Sequence, residues 1–182
     1  FQTFVALIPE KHVGFSMTIN SEDGEILVGL AFELLDHYLD APFNDWPAKF
    51  VAFKKNRIEA GLKAYHEKAA KPAKSNPSLP LARYAGTYND PWYGKIEIAL
   101  NKAGKLTFDF KSTPNMGGTL EHWQYDSFTT KFNDKNFEPA YVNFGLDADG
   151  KVERITLKPV SPLADFSYDY QDLLFTPAEK PK

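Results

Sequence analysis

From Tyr84 to Lys158 the apolar side chains recur at every second position, in short runs broken by turn residues, and no helical spacing interrupts them. Ile96, Ile98 and Leu100 alternate with polar residues, Asn101 to Lys105 reads as a turn, and Leu106, Phe108 and Phe110 alternate again. That is the pattern of a hairpin with one buried face. Further strands are expected at Tyr84–Tyr88, Leu120–Tyr125, Ser127–Phe132, Ala140–Leu146 and Lys151–Lys158, with Asp147-Ala148-Asp149-Gly150 as the tight turn between the last two. About seven or eight short strands with tight connections imply an antiparallel barrel or sandwich. Aromatic residues make up 15% of the chain, with 15 Phe and 9 Tyr, enough large rings to fill such an interior.

Before Pro80 the signal is different. Phe4 to Pro9 is an apolar run rich in strand formers, and Gly14 to Ile19 repeats it with Phe15, Met17 and Ile19 on one face. The two pair most simply as an antiparallel hairpin. Leu27, Leu30, Ala31, Leu34, Leu35 and Tyr38 then follow helical spacing, and Ser21 with Glu22 and Asp23 supplies a cap and first-turn acids, so a helix is expected over 22–39. Asp45-Trp46-Pro47 opens a second helix over 47–69, with Phe50, Phe53, Ile58, Leu62 and Tyr65 on one side. Six basic and two acidic residues between Lys49 and Lys68 read as a solvated face. Three prolines from Lys71 to Pro80 mark an extended linker. The organisation expected is residues 1–68, a Pro-rich linker at 69–80 and a β-barrel at 81–178.

The 182 residues, 43% of them hydrophobic, suffice for one domain or two small ones. A net charge of −3 leaves no cationic excess for phosphates, and neither half differs: residues 1–80 carry 9 basic and 10 acidic side chains, residues 81–182 carry 12 and 14. A nucleic-acid partner is not expected. The longest nearly apolar run, Ile26 to Leu35, is interrupted by Glu33 and is about half the length of a membrane span, so none is expected either. The absence of cysteine excludes disulfides, thiolate metal sites and a cysteine nucleophile. Phe1 is not an initiator Met, and the chain reads as a piece of something longer.

No motif for a metal or cofactor stands out. His12, His37, His66 and His122 include no pair at ligand spacing. Asp147-x-Asp149-Gly150 imitates the start of a calcium loop but lacks that loop's third ligand and terminal Glu. Gly117-Gly118 precedes a strand and is too short to cradle a phosphate. The densest aromatic cluster is Tyr88-Asn89-Asp90-Pro91-Trp92-Tyr93-Gly94. Its rings either plug one barrel end or form a ligand mouth or lid. His122-Trp123 carries the same two readings; in a regular strand one of the pair lies inside and the other faces out. Trp92, Tyr93, His122 and Trp123 are therefore the candidate ligand-binding residues.

The order of these elements resembles a known family. Phe4-Val5-Ala6-Leu7-Ile8-Pro9-Glu10, Gly14 with the strand ending in Asn20-Ser21, the helix closing with Leu35-Asp36, and Asp45-Trp46 resemble the C-terminal end of the catalytic domain of serine β-lactamase-like hydrolases, the class C β-lactamase and penicillin-binding-protein group. Residues 80–176 resemble the small lipocalin-like barrel appended to such hydrolases. The carriers are Leu81, Tyr84-x-Gly86-x-Tyr88, Pro91-Trp92-Tyr93-Gly94, Leu106, Leu120-x-His122-Trp123-x-Tyr125-Asp126-x-Phe128 and Gly150-Lys151-Val152. The resemblance implies an α+β chain: a two-strand, two-helix remnant of the catalytic domain followed by an antiparallel lipocalin-like β-barrel. It also implies a bacterial periplasmic or secreted location.

The resemblance places the family's Ser-x-x-Lys, Tyr-x-Asn and Lys-or-His-x-Gly motifs before Phe1. Ser75, Ser112 and Ser127 are followed three positions on by Ser78, Asn115 and Thr130, so none substitutes for Ser-x-x-Lys. The chain alone is expected to be catalytically inactive, with no cofactor, as an accessory piece of a hydrolase acting on amide, ester or β-lactam bonds. Its expected partner is the N-terminal catalytic portion of the same protein or another copy of itself. The alternatives are a lipocalin-like small-molecule binding module, or a domain for assembly or cleft gating with no ligand.

Overall fold

The computed structural model describes residues 1–68, 75–165 and 168–178. They fall in two compact units, Phe1–Gly61 and Leu62–Lys182.

In the first unit, strands β1 (Gln2–Ile8) and β2 (Val13–Ile19) form an antiparallel two-stranded sheet, with Phe4 opposite Met17 and Leu7 opposite Gly14. Pro9–Lys11 makes a 3₁₀ turn that His12 closes in the left-handed region. Helix α1 (Gly24–Tyr38) lies against both strands. It starts two residues later than expected: Asp23 and not Ser21 is the N-cap residue, and it makes no side-chain cap bond, its carboxylate accepting instead from Ser21 Oγ and Lys54 Nζ. Helix α2 (Trp46–Lys68) is capped as its sequence indicates, with Asp45 Oδ1 accepting from the Ala48 amide at 2.9 Å. Phe32 of α1 meets Trp46 and Phe50 edge to face at 5.3 and 5.8 Å, and Trp46 Nε1 donates to Asp36 Oδ2 at 2.6 Å. Gly29 allows this approach, since a Cβ there would lie 3.2 Å from Pro47 Cα. Of the other apolar residues expected on one side of α2, Phe53 and Ile58 are exposed, as are Leu62 and Tyr65 in its last turns, which belong to the second unit.

The second unit contains an eight-stranded antiparallel barrel. Strands β3 (Gly86–Asp90), β4 (Gly94–Leu100), β5 (Leu106–Phe110), β6 (Gly117–Gln124), β7 (Ser127–Phe132), β8 (Ala140–Leu146) and β9 (Val152–Pro159) pair each with the next. β10 (Leu174–Pro177) pairs with both β9 and β3 and closes the sheet. The periodicity does not reveal β10, because four residues ending in proline are too short for alternation to register. The strand expected at Tyr84–Tyr88 begins at Gly86 instead; Tyr84 ends a 3₁₀ turn at Leu81–Arg83. Of the expected linker, residues 69–74 lie outside the described residues.

The inward face is apolar except for Asp90 at the end of β3 and Thr130 on β7, whose Oγ1 accepts from the Ala140 amide, and the interior is filled by the barrel's own side chains. Tyr84, Phe128 and Phe144 form a triangle with ring centroids 4.9 to 5.5 Å apart, and Phe108, Phe110 and Phe175 continue the packing. Each such fully buried ring stabilises the fold by roughly 1.5–3 kcal/mol. The fold is thus α+β: a two-stranded sheet, two helices and a closed eight-stranded barrel.

Candidate functional site

The β3–β4, β5–β6, β7–β8 and β9–β10 connections gather at one end of the barrel, the upper end. Its organising residue is Asp90, only 5% exposed at the close of β3. Asp90 Oδ1 accepts from the backbone amides of Trp92 and Tyr93, both at 2.8 Å, and Oδ2 accepts from the Leu174 amide at 3.0 Å. One carboxylate therefore shapes the turn and anchors the closing strand. Burial alone would raise its pKa, but the amides of Tyr93, Leu174 and Trp92 more than reverse this and hold it below its ordinary value.

The turn presents the two aromatic residues unequally. Trp92 is 88% exposed and plugs nothing. Tyr93 is half-buried and lines a cleft of about 210 Å³ together with Phe110, Met116, Phe137, Tyr168 and Tyr170. Tyr168 and Tyr170 donate their hydroxyls to the carbonyls of Asn136 and Glu138 at 2.6 and 2.7 Å, which fixes both rings. Asp169 stands on the cleft wall between them in sequence. Partial burial, and behind it the charges of Asp169, Asp172 and Asp90, raise the Tyr93 phenol above its ordinary pKa.

The opposite, lower end is held by Asp126. It accepts from the Tyr84 hydroxyl, from the Ser78 amide at 2.9 Å and from Ser78 Oγ at 2.8 Å. The Leu79 amide in turn donates to Tyr84 Oη at 3.2 Å, so the chain entering the barrel is bound to its floor. Burial acts to raise the Asp126 pKa, but hydrogen bonds from Tyr84 and Ser78, with a smaller contribution from His122, hold it down.

His122 and Trp123 belong to this end and do not divide between inside and outside. Strand β6 is irregular between His122 and Gln124, where Trp123 is the extra residue against β7. His122 stays exposed at the barrel rim, edge-on to Phe128 at 5.5 Å, with Nε2 at 2.9 Å from the Tyr125 carbonyl. Trp123 rests on Tyr141 at 5.4 Å. The four residues singled out from sequence therefore do not form one site: Tyr93 lines the upper cleft, Trp92 projects beside it, and His122 and Trp123 brace the lower end. Missed by sequence reasoning were Phe137, Tyr168 and Tyr170, whose loops carry no periodicity, and the two organising carboxylates. Asp90 stands within the aromatic cluster and Asp126 within the motif of the resemblance, but neither position signals in sequence which amides or hydroxyls its carboxylate gathers.

A second opening, of about 530 Å³, lies by the start of β3 and has Arg83, Lys95 and Lys151 around Tyr88 and Val152. Ser75 Oγ accepts from the Tyr125 amide at 2.9 Å, and Ser127 Oγ donates to Asn143 at 2.7 Å. Among the described residues no three His, Asp or Glu side chains gather as a metal site. Nor is any described helix long and apolar enough to cross a membrane.

The family described as a domain of unknown function (DUF3471) matches residues 70–177, more than half of the chain. Over 146 residues the chain is 31% identical to Unguisins hydrolase ungD of Aspergillus violaceofuscus; the match covers 71% of this chain and 25% of that protein. The chain thus spans about a quarter of its curated relative. Among solved structures, the C-terminal domain of penicillin binding protein Rv0907 is similar at 26% identity and a TM-score of 0.43, over 59% of this chain and 94% of that one. SurE is similar at 17% identity and a TM-score of 0.43, over 59% of this chain and 21% of that one. The chain belongs to the DUF3471 family.

Proposed function

We propose that this chain is the C-terminal accessory portion of a β-lactamase-like serine hydrolase and carries no catalytic activity by itself. Residues 1–68 form the end of the catalytic domain, 69–80 the linker, and 81–178 a lipocalin-like accessory barrel. The single observation that carries this reading is the first unit's unfinished apolar surface. Val5 and Leu7 are 64% and 75% exposed on the face of the two-stranded sheet away from α1, and Ile26, Leu30 and Leu34 form an exposed stripe along α1. A two-stranded sheet with such faces is marginal alone and is completed by further strands and helices. The partner is the N-terminal catalytic portion of the same protein, which supplies the serine, its base and the oxyanion donors. The similarity to a hydrolase about four times the matched length supports that assignment.

The test is to assay the purified chain on a chromogenic β-lactam and a p-nitrophenyl ester, alone and joined to its catalytic portion, with light scattering to follow association. The expected result is no turnover by the chain alone, and a stable complex or a single active protein when the two are combined. Saturable hydrolysis by the chain alone, blocked by a serine-directed inhibitor, would overturn the proposal. So would a chain that stays monomeric and ignores the catalytic portion.

A further inference from the structure

The upper cleft is chemically one-sided. Five aromatic rings, those of Tyr93, Phe110, Phe137, Tyr168 and Tyr170, and the thioether of Met116 line it, while Asp169 supplies a carboxylate. No lysine or arginine is among the lining residues. The hydroxyls of Tyr168 and Tyr170 are engaged by backbone carbonyls, so these rings offer the cleft their π surface more than their polar ends. Ring faces carry the negative part of the aromatic quadrupole and attract cations, and a carboxylate beside them adds to that field. The charges of Asp172 and Asp90 also act on Tyr93, though neither residue lines the cleft. Asp90 is already saturated by three amides, which leaves Asp169 as the carboxylate on the cleft wall.

Size narrows the occupant. At about 210 Å³ the cleft is smaller than the roughly 300–1,000 Å³ of sites that enclose a drug-sized ligand, so it accommodates a head group and not a whole molecule of that class. The rigid elements around it favour a preformed site: Asp90 pins the turn bearing Tyr93, and Tyr170 is itself buried.

We propose that the upper mouth of the barrel binds an organic ammonium group, with Tyr93, Phe137, Tyr168 and Tyr170 as its aromatic wall and Asp169 as its counter-charge. The group is either the head of a free small cation or the end of a lysine side chain on a peptide. This inference does not depend on the hydrolase reading, because it concerns the barrel alone.

The chain has two methionines, Met17 in the first unit and Met116 in the cleft, so methyl-labelled methionine gives one reporter and one internal control. The full chain is titrated with choline, with N-acetyl-lysine amide, and with dimethylbutanol, in which carbon replaces the quaternary nitrogen of choline. The expected result is a saturable shift of the Met116 methyl with at least one of the two cations and no shift of Met17. The neutral isostere should bind about fivefold or more weaker than choline, if choline is the cation that binds. Response to choline identifies a free cation, and response to the lysine derivative alone identifies a peptide side chain. Asp169→Asn and Tyr93→Leu should each weaken binding about threefold or more while the barrel amide spectrum is retained. An unmoved Met116 methyl with both cations, equal binding of the isostere and choline, or full affinity in Asp169→Asn overturns the proposal.

Discussion

Tyr84, with no exposed surface, donates its hydroxyl to the carboxylate of Asp126, a residue 42 positions further along the chain. The same phenol accepts from the Leu79 amide, and Tyr88 donates to the Tyr84 carbonyl at 2.9 Å. The lower end of the barrel is thereby closed by one polar network, buried at Tyr84 and Tyr88 and reaching the surface at Ser78, and breaking it leaves a half-satisfied set. Tyr84→Phe should destabilise the barrel by about 1–3 kcal/mol, because Asp126 loses a charge-assisted bond and Leu79 an acceptor. Urea unfolding followed by amide exchange at Phe144, whose N–H donates to the Asp126 carbonyl, is the measurement. Unchanged protection would show the network to be energetically idle.

Acid should weaken the upper end in a defined window. Asp90 titrates below its ordinary 3.8, so its contribution is complete above that value and is lost as pH falls through the lower folded-state pKa. Replacing it by Asn keeps one acceptor oxygen and removes the charge. Asp90→Asn should cost about 1–3 kcal/mol at neutral pH and flatten the dependence of unfolding free energy on pH in the acid range. A variant whose acid slope matches the parent's would assign that slope to other carboxylates, Asp126 first.

Alkali should act through the phenols. Burial pushes Tyr84 and Tyr88 from 10 up to about 12, in Tyr84 with the Asp126 hydrogen bond adding to it, and Tyr170 is raised as well. A pKa raised on folding gives stability that is complete below the unfolded value of 10 and is lost as pH climbs through about 12. Tyrosinate absorbance should therefore rise in two stages, accessible phenols first and the buried ones together with unfolding. Tyr88→Phe should reduce the steepness of alkaline unfolding, and identical titration curves for parent and variant would contradict the assignment.

Gly118 sits where two backbones converge. It pairs with Phe108 on one side and Phe132 on the other, and a Cβ built there would collide with the Lys131 carbonyl and lie 2.9 Å from Phe132 Cα. Neither obstacle is a flexible side chain. Gly118→Ala should destabilise the barrel by about 1–3 kcal/mol or more, visible as a lowered urea midpoint, while Gly104→Ala, with open space around it but a φ of 73°, should cost about 1 kcal/mol. A larger loss at Gly104 than at Gly118 would reverse this ranking.

Much of the architecture was legible because it is written in local periods. Alternation at Ile96-Ile98-Leu100 and Leu106-Phe108-Phe110 states which face of each strand is buried before any partner is known, and Asp45 with Pro47 states where α2 begins. A barrel in which consecutive strands pair adds little beyond those local statements, but periodicity alone left barrel and sandwich open, and only the pairing of the closing strand with β3 decides between them. The resemblance to β-lactamase-like hydrolases came from motif order, which survives without coordinates.

Tertiary structure alone decided the rest. Closure by Leu174–Pro177 depends on Asp90 holding the Leu174 amide across 84 positions, a relation no window of sequence contains. The bulge at Trp123 turned an expected inside–outside pair into two residues bracing the rim, because one inserted residue breaks the alternation that the reading assumed. The cleft at the upper mouth draws on four separate connections, and only the closing of the barrel brings Tyr93, Phe137 and Tyr170 within reach of one small ligand. Periodicity reports the face on which a side chain lies; which distant side chains share a mouth is set by loop paths and long-range hydrogen bonds, and those exist only once the chain has folded.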